Sequence, residues 1–106
     1  MKEITVKELK KKLDANEDVQ LIDVREDFEY QVSNLGGKHI PLGSLPAKIE
    51  ELNGIKEKEI IMICRSGARS ANATYFLTQN GFTNVANLSG GMMAWADEID
   101  PELPVA

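Results

Sequence analysis

Two apolar runs constrain this chain more than any other feature. Residues 19–26 read VQLIDVRE and residues 59–64 read EIIMIC. The second is the clearest strand, and the first reads as a buried strand ending in charge. A strand so apolar needs cover on both faces, which parallel sheets obtain from crossover helices. Shorter strands are expected at KHIPL, stopped by Pro41, and at VANL.

Helical patterns lie between these runs. Thr5 and Glu8 make a capping box, with Ile4 and Leu9 placed as a hydrophobic staple, so a helix is expected from Val6 to Ala15. Its lysines, Lys7, Lys10, Lys11 and Lys12, read as a solvated face. A short polar helix in DFEYQVSNL should be broken by Gly36 and Gly37. Ser44 is expected to cap LPAKIEEL, with Pro46 in the first turn and Asn53–Gly54 at the end. SANATYFLTQN should end with Gly81 in a left-handed conformation and Phe82 against Leu77. A last helix carries Met93 to Ala96, after a tight turn at Gly90 and Gly91. Alternating strands and helices predict one α/β domain over residues 1–106, with a largely parallel sheet covered on both faces.

Open sheets of this kind bind ligands beyond the carboxyl ends of their strands. Cys64 and Asp23 both stand at such ends. Cys64 is the chain's only cysteine, and RSGARS follows it at once. Three features should favour its thiolate: a glycine-containing loop whose N–H groups can turn inward, a helix beginning near Ser70, and the charges of Arg65 and Arg69. Asp23 is either a helix cap or an acceptor supporting this loop. Arg25 and Glu29, four residues apart, are expected to form an ion pair that shapes a turn. His39 reads as a half-exposed edge residue rather than a base. Trp95 reads as core, or as the wall of a pocket.

Composition limits the alternatives. A net charge of −5 argues against nucleic-acid or acidic-membrane surfaces, so any anion site must be local. One cysteine and one histidine leave no disulfide and no soft metal site. No signal-peptide pattern or membrane-length apolar stretch is present, so a cytoplasmic protein is expected; a monomer is expected as well.

Four motifs together, LIDVRE with Glu29 following, HIPLGSL, IIMICRSGARS and LSGGMMAW, resemble the rhodanese domain, the sulfurtransferase fold. The resemblance covers nearly the whole chain. It implies a five-stranded parallel sheet and no metal or organic cofactor. It implies that Cys64 takes sulfur from a donor such as thiosulfate, a polysulfide or a glutathione persulfide. Cys64, Arg65, Ser66, Gly67, Ala68 and Arg69 would then cradle the outer sulfur, with Ser70 beside them and Asp23 and Arg25 in support. Cyanide or a thiol, small or carried on a protein, would accept it. Relatives that dephosphorylate phosphoproteins have C-x5-R; this chain has C-x4-R, which favours sulfur over phosphate. A small phosphatase, an arsenate-reducing enzyme and a non-catalytic binding module are the other readings. One departure is local: NLGGKHIPLG is more compact than the usual family segment, with His39 where a small polar residue is common.

Overall fold

The computed structural model describes residues 1–106. Five strands, β1 (Lys2–Ile4), β2 (Val19–Asp23), β3 (Lys38–His39), β4 (Glu59–Ile63) and β5 (Val85–Leu88), form one sheet in the order β1-β5-β4-β2-β3. Every pairing is parallel. The helices are α1 (Val6–Asp14), α2 (Asp27–Val32), α3 (Leu45–Lys48), α4 (Ala68–Gln79) and α5 (Gly91–Glu98). They cover both faces, and the core is correspondingly split. Ile22, Val24, Ile60, Met62 and Cys64 point toward Ala73 and Leu77 of α4. Leu21, Ile61, Ile63 and Leu88 point toward Leu9 of α1 and Met92 and Trp95 of α5. The period-two alternation of β4 thus feeds both cores from one apolar run. That places Trp95 in the core, at 8% exposure, rather than in a pocket wall.

Local signals account for several boundaries. The capping box of α1 forms, with Glu8 N–H on Thr5 Oγ1 and Thr5 N–H on Glu8 Oε1. Helix α4 closes in a full Schellman motif: Phe82 N–H reaches Leu77 O, Gly81 N–H reaches Thr78 O, and Gly81 has φ +86°.

Three expectations need correction. Strand β1 was not legible in the residues; Lys2–Ile4 is too short for a pattern and exists by pairing with Ala86–Leu88. The expected helix over residues 45–52 is only one α-turn, preceded by a 3-10 turn over Leu42–Ser44 and followed by another over Ile49–Ile55. Ser44 caps nothing there, because its own backbone is already helical, and the turn runs past Gly54. Helix α4 begins at Ala68, not near Ser70, because Gly67 takes the cap position.

Candidate active site

Cys64 follows β4, the central strand of the sheet, and is 1% exposed. The loop after it turns directly into α4. Gly67 makes the turn with φ +103°, a left-handed conformation open to glycine at little cost. The turn aims the Gly67 N–H at the Cys64 sulfur, 3.0 Å away. Ser70, in the first turn of α4, places its Oγ 3.2 Å from the same sulfur. Burial pushes the Cys64 thiol up, but the Ser70 hydroxyl and the N–H groups of Ser70, Gly67 and Ser66 outweigh it and hold the thiol below its ordinary value. The stabilising groups are chiefly these donors rather than the flanking arginines.

The loop is held from behind by α5. Its first free N–H groups, those of Met92 and Met93, donate to Cys64 O and Arg65 O at 2.9 Å each. Such close docking requires glycine at position 91: a Cβ there would stand 2.3 Å from Cys64 O. The paired glycines therefore do more than turn the chain.

Both arginines of the loop already have partners. Arg69 makes a two-pronged pair with Glu29, Nη1 to Oε1 at 2.7 Å and Nη2 to Oε2 at 2.8 Å. Arg65 is exposed, and its Nε donates to the main-chain oxygen of Ala106 at 2.8 Å. Ser66 and Ala68 lie between them in the loop and are exposed.

The expected Arg25–Glu29 side-chain pair is not made. Arg25, fully buried, instead holds Asp23: Nε to Oδ1 at 3.0 Å and Nη2 to Oδ2 at 2.8 Å. It reaches Glu29 only at the backbone oxygen, and also donates to Ser33 O. Its interactions tie the end of β2 to α2, and leave the Glu29 carboxylate to Arg69. Asp23 is thus neither a helix cap nor an acceptor for the cysteine loop. Its neighbour across the sheet is Ile63, so it projects to the face opposite Cys64. His39 stacks on Tyr30 with ring centroids 4.3 Å apart, and its Nε2 lies 2.7 Å from Arg25 O. It is a half-buried residue of the edge strand β3.

The sequence reading mispaired one residue around the cysteine loop and passed over another. Glu29 was noticed but paired with the wrong arginine, because its partner lies 40 residues away. Asn87 was passed over inside VANL. The legible signal was an amide in an otherwise apolar, wholly buried strand.

A covered parallel sheet whose central strand delivers a cysteine into a ring of N–H donors defines a class: an α/β domain built to hold a thiolate, or an anion bonded to it. A family model described as "Rhodanese-like domain" matches residues 5–98, and the chain belongs to that family. It is 46% identical over 103 residues to the protein named "Putative sulfurtransferase YtwF" of Bacillus subtilis, covering 96% of this chain and 97% of that one. It is 36% identical to a protein named "Sulfurtransferase" of Allochromatium vinosum, over 89% and 87% of the two chains. The crystal structure of a rhodanese-like domain protein from Staphylococcus aureus superposes with a TM-score of 0.84 at 36% identity, over 100% of this chain and 99% of the other.

Two expectations follow from the geometry. Iodoacetamide alkylation of Cys64 should inflect below the ~8.5 of a free cysteine. An inflection at or above that value would show that burial, not the donor ring, dominates. The second concerns acid. Arg69 first, opposed by burial and helped by the Glu26 N–H, holds the Glu29 carboxyl down at about 2. Because the folded value lies below the unfolded one, the pair's stabilisation is complete above the usual 4.5 and is lost as pH falls from there toward about 2. Arg69 is about one-third exposed, so the contribution is on the order of 2 kcal/mol rather than the full value of the shift. Glu29→Gln should therefore lower the melting temperature at pH 7 and flatten its fall between pH 5 and 3. An unchanged acid profile would show the pair to be without energetic weight.

Proposed function

We propose that the protein is a sulfurtransferase that moves a sulfane sulfur from a donor such as thiosulfate or a persulfide to a thiophilic acceptor through a persulfide on Cys64. In the first step the Cys64 thiolate attacks the outer sulfur of the donor. A new S–S bond forms as the donor's own bond to that sulfur breaks, and the electron pair leaves with sulfite or with the donor thiolate. In the second step cyanide or a thiol attacks the outer sulfur, and Cys64 departs as thiolate. No net oxidant is needed, and two-step kinetics of the ping-pong type are expected.

The observation that carries this reading is the ring around the Cys64 sulfur: Gly67 N–H at 3.0 Å and Ser70 Oγ at 3.2 Å, in a loop closed after six residues by Arg69. These donors suit a thiolate before transfer and a persulfide anion after it. We assign Arg65 as the principal contact for an anionic donor, since Arg69 spends both Nη groups on Glu29. The acceptor is a small thiol, cyanide, or a thiol on a protein, with no nucleic acid or membrane involved, and the enzyme works as a monomer. A reducing cytoplasm suits a lone thiol that must stay free.

The test is intact mass after brief exposure to thiosulfate and, separately, to an alkyl persulfide. One added sulfur, removed by cyanide and absent after prior alkylation of Cys64, is expected. No added sulfur from either donor would overturn the reading and favour a binding module.

A further inference from the structure

The buried amide of β5 has no part in the sulfur chemistry just described, yet it is bonded to that chemistry's supporting groups. Asn87 is 4% exposed and shares the α4 face of the sheet with Val85. Its Oδ1 lies 2.5 Å from Ser70 Oγ. Its Nδ2 donates to Gly67 O at 3.1 Å and to the two carboxylate oxygens of Glu3 at 3.3 and 3.2 Å. Ser89 Oγ donates to the same carboxylate at 2.7 Å. These partners fix the orientation of the amide. Its nitrogen must face Gly67 O and Glu3, which only accept, so its oxygen must face the Ser70 hydroxyl.

The two residues it grips outside β1 are Ser70 and Gly67, and both also contact the Cys64 sulfur. We propose that Asn87 is a positioning residue for Cys64: its Nδ2 holds the Gly67 peptide and so fixes the distance and direction of the Gly67 N–H on the sulfur, while its Oδ1 takes the Ser70 hydroxyl hydrogen when the sulfur does not. Ser70 has one hydroxyl hydrogen and two acceptors facing it, the sulfur and Asn87 Oδ1. With Cys64 as a thiol, Ser70 donates to Asn87 and can accept the S–H. With Cys64 as a thiolate, the hydrogen swings to the sulfur while Asn87 keeps hold of Gly67. The N–H ring then stays in register through the change of charge. Glu3, from the first strand, pins the far side of the amide.

The inference rests on Cys64 being the reactive sulfur, but its main readout does not require sulfur transfer. Asn87→Leu keeps the volume and removes the clamp. In a Ser70→Ala background, where no hydroxyl is freed to turn to the sulfur, Asn87→Leu should raise the alkylation inflection of Cys64 by at least half a pH unit, so that reactivity on the acidic side of the inflection falls about threefold or more. In sulfur transfer, kcat should fall while KM for the donor stays, because Asn87 does not face the donor. With Ser70 present the rise of the inflection should be smaller, because the freed hydroxyl can then donate to the sulfur. Val85→Ala, on the same strand and face but away from the loop, is the control for general loosening. If Asn87→Leu fails to melt cooperatively, Asn87→Ser, polar but too short to span Ser70 and Gly67, carries the same expectation. An unchanged inflection in the folded protein carrying both Ser70→Ala and Asn87→Leu would overturn the proposal, and so would an equal shift from Val85→Ala. Absence of sulfur transfer in the unsubstituted protein, with the inflection still shifted by Asn87→Leu, would instead defeat the sulfurtransferase reading and leave the clamp standing.

Discussion

Cys64→Ser should reduce thiocyanate formation from thiosulfate and cyanide to below roughly 1% of the unsubstituted rate, the largest loss expected of any single substitution, since covalent catalysis depends wholly on its nucleophile. The chain has no other cysteine that could hold a persulfide. The fold should survive. Serine is close in shape to cysteine, and the Gly67 N–H that meets the sulfur can meet a hydroxyl in its place. A stability change of at most about 1 kcal/mol is therefore expected. Turnover by the variant at more than a few per cent of the unsubstituted protein would refute a persulfide on Cys64. Loss of the cooperative melt would show that the cysteine is needed for packing as well as chemistry.

Legibility in the sequence followed the range of the interaction. Capping of α1 and the closure of α4 are settled within five residues, and the pairs Thr5–Glu8 and Leu77–Phe82 announced them. The sulfur's donors were also local, since Gly67 and Ser70 lie three and six residues beyond Cys64. Charge partners were not. The i, i+4 spacing of Arg25 and Glu29 suggested a pair, but helix α2 begins only at Asp27, so Arg25 is not on the helix that the spacing assumes. Its guanidinium folds back on Asp23, and Glu29 finds an arginine brought close by the packing of α2 beside the loop. Asn87 and Glu3 are further examples, 84 residues apart and joined only because β1 pairs with β5. A three-residue strand gives no pattern of its own. The fifth strand was therefore available only through the family resemblance, not from the residues.

The length of the cysteine loop is the second place where a large effect is expected. Inserting one glycine between Gly67 and Ala68 converts C-x4-R into C-x5-R. A trans peptide adds about 3.8 Å of chain between neighbouring Cα atoms. That length must bulge outward, because both ends are anchored. Upstream, Met92 and Met93 hold Cys64 O and Arg65 O, and Asn87 holds Gly67 O; downstream, Glu29 holds Arg69. The Gly67 N–H would be drawn off the sulfur, and the wider ring would gain one N–H donor. Glycine is the residue to insert, since it takes positive φ, as Gly67 does, at little steric cost. Sulfur transfer should fall at least about tenfold, in keeping with the loss of a donor aimed at the reacting sulfur. Affinity for tetrahedral anions such as tungstate or vanadate should rise, because three equatorial oxygens then have room and donors. Phosphatase turnover should not appear. A leaving group needs an acid, and the carboxyls bonded around the loop are committed: Glu29 to Arg69, and Glu3 to Asn87 and Ser89. The measurement is a paired assay of both proteins on thiosulfate and an aryl phosphate, with tungstate binding by calorimetry. Robust aryl-phosphate turnover by the unmodified protein, with none on thiosulfate, would overturn the choice of sulfur over phosphate.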